Sequence, residues 1–243
     1  MSKYNKILFT GSNGRFGIVF KKINNSKKYL YPTKKQLDIT NPQSISKYFK
    51  KNKPKLVVHC AALSRPMDIH EKNIEKSITT NIIGTSNLVI ECAKKKIKIV
   101  YLSTSYVYPG TKGNYDENAD LKPINNYAWS KLGGECSVKM YKNSLILRVC
   151  MTERPFVHKY AFTNFKTNFI FHDQIARILP KLFNYKGIIN IGGNIRTVYN
   201  FVKKYNPKIK GKKLQRKNSL LRLNSSMNIK KLKKILNDKL LEL

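Results

Sequence analysis

A glycine-rich segment between the first apolar run and the first predicted helix constrains the fold more than any other feature. Its sequence is Thr10-Gly11-Ser12-Asn13-Gly14-Arg15-Phe16-Gly17. Gly11 permits a tight turn, Gly14 lets the backbone approach a pyrophosphate, and Gly17 lets helix and strand pack closely. The amino terminus of the following helix offers unpaired N–H groups to phosphates. In this position the loop predicts a dinucleotide-binding site.

Apolar runs and helical patterns alternate through the first 150 residues. The pattern predicts strands at 6–10, 28–31, 56–59, 98–103 and 144–149, and helices at 14–23, 41–53, 71–96 and 125–141. The strand segments contain continuous apolar runs in place of strict alternation, as expected for strands that are covered on both faces. Because such alternation implies parallel βαβ units, the predicted fold class is α/β, with a doubly wound (Rossmann) parallel sheet.

The regularity weakens after residue 150. We expect residues 1–150 to form a dinucleotide-binding domain that residues 171–205 complete, with helices at 173–183 and 196–205 and a strand at 187–191. Residues 151–170 and 206–243 should form a small carboxyl-terminal substrate-binding lobe. An amphipathic helix at 228–240 is expected to pack onto the body of the protein.

The formal net charge of +35 allows two interpretations. Clustered lysines could bind nucleic acid, but these lysines stand in short runs without interleaved aromatic residues, which favours solvated faces and a compositional bias. The sequence leaves open whether the charge is functional, although a diffuse positive field favours an anionic small substrate.

Cysteine spacing and hydropathy indicate the compartment. Four scattered cysteines lack metal-ligand spacing, so we expect reduced thiols, no disulfide framework and no metal. Since no apolar stretch approaches a membrane span or a signal core, a cytoplasmic protein without membrane attachment is expected.

Tyr127 and Lys131 stand four residues apart on the predicted helix 125–141, which places the phenol and the ammonium on one helix face. A nearby cation stabilises a phenolate and lowers the pKa of tyrosine from about 10. Tyr127 could then protonate a carbonyl oxygen as hydride arrives at the carbon. Hydroxyls at 103–105 follow the preceding strand, where α/β folds bind ligands, and one of them can hydrogen-bond the carbonyl.

The choice of cofactor depends on the loop after the second strand. Dinucleotide folds usually place there a carboxylate that holds the ribose 2′-hydroxyl. This chain has Lys34 and Lys35 instead, and lysines suit a 2′-phosphate. The sequence therefore predicts that NADPH is used at least as well as NADH, unless both lysines are merely exposed loop charges.

Six segments occur in a fixed order over the first 150 residues. They are 10–17, Leu37-Asp38-Ile39, His59-Cys60-Ala61-Ala62, Asn81-x-x-Gly84-Thr85, 103–110 and 127–131. With this order and spacing the chain resembles the extended short-chain dehydrogenase/reductase superfamily. The resemblance implies an NAD(P)-dependent oxidoreductase with Thr104, Tyr127 and Lys131 as catalytic residues, and Lys131 also holding the nicotinamide ribose.

The resemblance also implies a set of cofactor contacts. These are Gly11, Asn13, Gly14, Arg15, Phe16 and Gly17 in the glycine loop, Asp38 and Ile39 at the adenine, Ala61, Ala62 and Leu63 between adenosine and nicotinamide, and Asn81 in support.

Segment 103–110 is most similar to that of dTDP-4-dehydrorhamnose reductases, which reduce a 4-keto-6-deoxy nucleotide sugar in deoxysugar biosynthesis. Ser105 and Tyr106 replace the Asp-Glu pair of sugar-nucleotide dehydratases, so elimination is disfavoured. A nucleotide-sugar substrate is implied. The expected substrate contacts are Ser105, Tyr106, Arg65 and His158, with Arg148, Arg154 and Lys166 as further candidates for pyrophosphate or sugar.

Two alternatives stay open at the level of sequence. A nucleotide-sugar 4-epimerase would use the same residues and retain tightly bound NAD. A non-catalytic protein could keep the dinucleotide fold and bind RNA or another anionic partner through its basic surface. The sequence also leaves the oligomeric state open, including a homodimer.

Overall fold

A parallel sheet forms the centre of the computed structural model, which describes residues 4–215 and 223–237. The strands, in chain order, are β1 (Ile7–Thr10), β2 (Tyr29–Leu30), β3 (Leu56–His59), β4 (Lys98–Thr104), β5 (Ser144–Val149), β6 (Met151–Thr152), β7 (Tyr160–Phe162), β8 (Lys166–Thr167), β9 (Ile170–Phe171), β10 (Gly187–Ile191), β11 (Arg196–Thr197) and β12 (Lys210–Lys212). Six of them form the central sheet in the order β10-β5-β4-β3-β1-β2. Every pair in it is parallel, which confirms the predicted fold class.

Helices connect the strands. They are α1 (Arg15–Ile23), α2 (Pro42–Asn52), α3 (Ile69–Lys72), α4 (Ile74–Ile78), α5 (Gly84–Lys94), α6 (Asn126–Met140), α7 (His172–Leu182), α8 (Val198–Lys203) and α9 (Lys230–Leu236). A π-helical turn, Thr79–Ile83, joins α4 to α5, and a 3-10 turn, Ser105–Val107, follows β4.

Asparagine caps fix where two of these helices begin. The side chain of Asn41 accepts a hydrogen bond from the Ser44 N–H group at 3.0 Å, and Pro42 occupies the first turn of α2. Asn125 caps α6 in the same way, since its side chain accepts from the Ala128 N–H group at 2.8 Å. Such caps satisfy N–H groups that the helix itself leaves unpaired.

Apolar side chains cover the central sheet on both faces. One cluster joins the sheet to α1, α7 and α9, through residues such as Phe20, Leu179 and Leu232. The other joins it to α2, α5 and α6, through residues such as Phe49 and Leu88. Helices on both faces make the sheet doubly wound.

A smaller cluster lies beside the ends of β4 and β5, where paired short strands replace longer elements. Its buried residues include Ala161, Phe165, Phe171 and Phe201. The small lobe built around this cluster includes Val198 and Phe201 of α8. Leu232 of α9 packs instead among the apolar residues of the central sheet. The parts of the expected lobe at 216–222 and 238–243 lie outside the described residues.

The long helix expected at 71–96 is interrupted. Asn73 ends α3 and starts α4, because its side chain accepts a hydrogen bond from the Lys76 N–H group at 2.8 Å. The π-helical turn then separates α4 from α5. Within residues 4–215 and 223–237, no helix has the length and apolar character needed to cross a membrane.

Candidate active site

A cleft of about 1020 Å³ lies at the carboxyl-terminal edge of the central sheet. The segments that follow β1, β3 and β4 form one wall, and the segment after β5 forms the other together with the small lobe. Parallel α/β sheets bind their ligands at this edge.

Most of the predicted site residues line this cleft. On the cofactor side they are Gly11, Asn13, Gly14, Arg15, Phe16, Gly17, Asp38, Ile39, Ala61 and Ala62. On the reaction side they are Thr104, Tyr127, Lys131, Ser105, Tyr106, Arg65 and His158. The cleft therefore brings the glycine loop, the tyrosine–lysine pair and the expected substrate contacts into one site.

The glycine loop has the close contacts that its sequence predicts. Gly11 has a φ of +77°, and a Cβ atom there would lie 2.6 Å from the Ala61 backbone nitrogen. A Cβ atom on Gly17 would overlap the carbonyl oxygen of Gly11. Gly14 precedes α1, whose first turn lies at the cleft and contains no acidic residue. The glycine loop fits the pyrophosphate of a dinucleotide, because the N–H groups at the amino terminus of α1 face the open cleft.

Asp38 lies at the far end of the cofactor side. Its carboxylate accepts two hydrogen bonds from Thr40, at 2.9 Å from the backbone N–H and 2.8 Å from the hydroxyl. Burial alone would raise the pKa of Asp38, but these bonds and the Lys34 ammonium at 3.8 Å hold it below its usual value. Lys34 also lines the cleft, so a cation stands where the adenosine ribose is expected.

Asn81 and Leu63 lie behind the wall of the cleft. The Asn81 side chain accepts from the Leu63 N–H at 2.7 Å and donates to the Leu63 carbonyl at 2.9 Å. It also donates to the Ser130 hydroxyl at 2.8 Å. Asn81 therefore ties the segment after β3 to helix α6.

The end of β4 and one face of α6 bring the expected catalytic side chains together. Thr104 ends β4 and accepts a hydrogen bond from the Tyr106 N–H at 3.3 Å. Tyr127 and Lys131 project from α6 into the same cleft. Lys131 is buried, with its ammonium 4.1 Å from the centre of the Tyr101 ring.

The electrostatics of the pair differ from the sequence expectation. Burial raises the pKa of Tyr127 to about 12, Tyr106 adds to this, and a hydrogen bond with Thr104 and the charge of Arg65 act in the opposite direction. Burial also lowers the pKa of Lys131 to about 7, against the smaller effects of Cys60 and Glu135. The cation that favours the Tyr127 phenolate here is therefore Arg65, and Tyr127 is a protonated donor at neutral pH.

A buried ion pair beneath the catalytic residues was not predicted. Glu135 lies one turn beyond Lys131 on α6. Its carboxylate forms an ion pair with the Arg148 guanidinium at 2.6 Å and accepts a hydrogen bond from the Ser103 hydroxyl at 2.7 Å. Arg148 also donates to the Tyr108 hydroxyl at 2.8 Å. Sequence analysis offered Arg148 as a substrate contact, but both partners are almost completely buried, so its role is to join β5 to α6.

The other two basic candidates are also placed away from a substrate. The Arg154 guanidinium stacks on the rings of Phe171 and Tyr205, at 4.1 Å and 5.0 Å from their centres. Lys166 lies exposed on the short strand β8 and is not part of the cleft wall. Only Arg65 and His158 of the five basic candidates line the cleft.

Glu153 is a cleft residue that sequence analysis missed. Its carboxylate accepts from Arg15 at 3.0 Å and from Arg65 at 3.3 Å, and so connects the glycine loop to the segment after β3. Burial opposes ionisation, but Arg15 and Arg65 hold the pKa of Glu153 below its usual value. Nothing in the sequence distinguishes Glu153 from the rest of the 13 acidic residues of the chain. Among the described residues, no cluster of His, Cys, Asp and Glu could hold a metal ion.

The fold and the cleft combine a doubly wound α/β sheet and a glycine loop with the Thr, Tyr and Lys arrangement expected of a short-chain dehydrogenase/reductase. Residues 5–169 match the family described as RmlD substrate binding domain, and the chain belongs to that family.

Proteins of different kinds are similar to this chain. Methionine adenosyltransferase 2 subunit beta from Xenopus tropicalis is 30% identical over 155 residues, which cover 59% of this chain and 46% of that protein. A dTDP-4-keto-6-deoxy-D-glucose reductase from Streptomyces niveus is 35% identical over 107 residues, or 44% of this chain and 37% of that one. The chain thus matches less than half the length of these curated relatives.

Solved structures share the fold over nearly the whole chain. A dTDP-4-dehydrorhamnose reductase from Bacillus anthracis, crystallised in complex with NADP, has a TM-score of 0.82 at 22% identity, covering 98% of this chain and 93% of that one. The structural likeness continues beyond residue 169, where the family match ends.

Proposed function

We propose that this protein is an NAD(P)H-dependent reductase of a 4-keto-6-deoxy nucleotide sugar. The observation that carries the proposal is that Thr104, Tyr127 and Lys131 meet in one cleft, between the glycine loop and the side chains of Arg65 and His158. A hydride donor and a carbonyl substrate would meet at the catalytic residues.

Bound NAD(P)H supplies the hydride that adds to the carbonyl carbon. The Tyr127 hydroxyl donates its proton to the carbonyl oxygen, so the ketone becomes an alcohol and Tyr127 a phenolate that water reprotonates. Thr104 hydrogen-bonds the same oxygen and orients it. Lys131, which lines the same cleft, would hold the nicotinamide ribose.

A reductase needs Tyr127 as a phenol at the start of each cycle. Burial, which raises the pKa of Tyr127 to about 12, keeps the proton on this hydroxyl at neutral pH.

The charges on the cleft wall suit a substrate that carries a diphosphate. Arg65, Lys159 and Lys212 line the reaction side, and Arg15 lies at the glycine loop. Guanidinium groups bind phosphate oxygens in a bidentate manner. The Streptomyces reductase, whose name specifies a dTDP-linked ketosugar, is consistent with this class of substrate.

A second candidate is a non-catalytic subunit that retains the dinucleotide site. It is favoured by the similarity to methionine adenosyltransferase 2 subunit beta, a protein named as a subunit of another enzyme. The arrangement of all three catalytic side chains in the cleft supports the reductase instead. For either candidate we propose a cytoplasmic location, because the four free thiols suit a reducing compartment.

Oxidation of NADPH and of NADH, followed by absorbance with dTDP-, UDP- and GDP-linked 4-ketosugars, tests the proposal. We expect turnover with at least one substrate, and a loss of about 100-fold or more in kcat for Tyr127→Phe. Tyr185→Phe, which changes an exposed tyrosine outside the cleft, is the matched control and should retain full activity. Dinucleotide binding without turnover on any ketosugar would support the non-catalytic subunit.

A further inference from the structure

One side of the molecule carries many lysines and no acidic residues. The segments that lead into β2, β3, β4, β5 and β10 together hold 15 lysines, no arginine and no acidic residue; they are residues 21–28, 50–55, 94–97, 139–143 and 181–186. Fourteen of these lysines are exposed. Because all strands of the central sheet are parallel, the five segments lie at its amino-terminal edge, opposite the cleft. We name this surface the lysine edge.

Hydrogen bonds join neighbouring segments of the lysine edge into one surface. The Lys55 N–H donates to the Lys6 carbonyl at 2.8 Å, and the first N–H group of β1 donates to the Lys28 carbonyl at 2.7 Å. Farther along the edge, the Lys98 ammonium donates to the Tyr185 carbonyl at 2.6 Å. The six strands span about 24 Å at their usual spacing, and helices on both faces make the edge about 30 Å thick.

Acidic residues lie at the opposite edge of the sheet. Asp38, Asp68 and Glu153 follow the carboxyl ends of β2, β3 and β6. Within the described part of the chain, Lys95 is the only one of the 15 lysines in an ion pair, with Glu91 at 3.5 Å. A compositional bias toward lysine does not by itself separate the two signs of charge, so this separation needs another explanation.

Helix dipoles account for part of the lysine edge. Five helices end there with lysine in the last turn, where a cation interacts favourably with the dipole. Lys27, Lys55, Lys142 and Lys186 lie beyond the helix ends, in the turns that lead into strands. The dipole effect is confined to the last turn of a helix, so it does not explain these four exposed lysines.

The side chains of the lysine edge fit the surface of an anionic bilayer. Arginine, which binds phosphate in a bidentate manner and stacks on bases, is absent from the edge although the chain contains it elsewhere. Lysine acts as a point charge, and clusters of lysine bind anionic headgroups. Met140 and Tyr185 lie among the lysines with 85% and 40% of their surfaces exposed. Apolar side chains and tyrosine enter the interfacial region of a membrane.

We propose that the lysine edge docks this protein onto a membrane surface rich in anionic phospholipid. The lysines contact the headgroups, and Met140 and Tyr185 enter the interface between them. Docking leaves the cleft open to solvent, because the cleft is at the opposite edge of the sheet. It needs no spanning helix, and for this reason hydropathy alone indicated no membrane attachment. The cytoplasmic leaflet supplies anionic lipid to a protein in the cytoplasm.

Sedimentation with sucrose-loaded vesicles at about 150 mM salt, where distant charges are screened, tests the proposal. The edge variant, Lys27→Gln/Lys55→Gln/Lys142→Gln, removes three charges from the lysine edge. The matched control, Lys112→Gln/Lys166→Gln/Lys208→Gln, removes three exposed charges that lie outside it. Both variants have the same net charge, and circular dichroism checks that both keep the fold.

Vesicles of phosphatidylglycerol and phosphatidylcholine should bind the wild type and the control variant, whereas vesicles of phosphatidylcholine alone should bind neither. Since each lysine at an anionic surface strengthens binding about fivefold, the edge variant should bind the anionic vesicles about 100-fold more weakly. The control variant should stay within about threefold of the wild type, because its three charges lie farther from the lipid than the screening length.

Equal losses in the edge variant and the control variant would show that net charge alone drives binding, and would overturn the proposal. So would a wild type that does not sediment with the anionic vesicles. Single-stranded RNA that releases the protein from the vesicles at an equal concentration of phosphate would also overturn it, because the lysine edge would then serve nucleic acid. None of these outcomes depends on ketosugar turnover, so the docking proposal and the proposed activity can fail separately.

Discussion

Replacing Lys131 with methionine should change how the stability of the protein depends on pH. Burial lowers the pKa of the Lys131 ammonium to about 7 in the folded chain. In the unfolded chain lysine titrates near 10.4. Between these values the unfolded chain binds a proton that the folded chain has released, so this group makes the free energy of unfolding rise with pH. Below pH 7 both states are protonated, and the folded state carries the full cost of burying the charge.

The size of the effect follows from the two pKa values. Since one pKa unit corresponds to about 1.36 kcal/mol, the titration of Lys131 should stabilise the wild type by about 2 kcal/mol between pH 7 and pH 9. Methionine has a similar length and no charge, so Lys131→Met should lack this gain. For the same reason the variant should be more stable than the wild type at pH 7.

Urea unfolding at pH 7, 8 and 9 measures these free energies, with Trp129 fluorescence as the signal and no nucleotide added. Lys139→Met, which removes an exposed ammonium from the same helix, controls for the change in net charge and should follow the wild type. Parallel pH profiles for wild type and Lys131→Met would refute the claim that Lys131 is buried as described.

Three further predictions concern the supporting residues. Glu135→Ala should lower the free energy of unfolding by about 3–5 kcal/mol, because it leaves the Arg148 guanidinium buried without its partner; urea unfolding measures this, and a loss below 1 kcal/mol would contradict it. Gly17→Ala should abolish dinucleotide binding in a fluorescence titration, since its methyl group would overlap the Gly11 carbonyl oxygen, and unchanged affinity would contradict the loop geometry. Lys34→Ala should raise the KM for NADPH several-fold more than the KM for NADH, and equal changes would show that Lys34 is only a loop charge.

Local signals were sufficient to predict the sheet and the centre of the cleft. The glycine loop and the alternating apolar runs depend on contacts between neighbouring segments. Their sequence patterns are therefore sufficient to predict the structure that these segments form. The spacing of Tyr127 and Lys131 needs only a helix, and the cap at Asn125 starts that helix. These features could be inferred without knowing what the chain packs against.

Features that depend on distant partners could not be inferred in this way. Arg148 was offered as a substrate contact because nothing near it in sequence shows that Glu135 would pair with it. Glu153 meets Arg15 across 138 residues, and its place in the cleft has no local signature. The small lobe was predicted only in outline, because its two- and three-residue strands are too short to show a period.

Transfer of deuterium tests the central claim most directly. NADPH that carries deuterium in place of both C4 hydrogens of the nicotinamide is incubated with the protein and a dTDP-linked 4-keto-6-deoxysugar, and the product is analysed by mass spectrometry. With wild-type protein and the Tyr185→Phe control, we expect a product sugar that carries one deuterium at C4. With Tyr127→Phe, almost no labelled product should form in the same time. Product formed without deuterium, or equal labelling by Tyr127→Phe, would contradict hydride transfer assisted by proton donation from Tyr127.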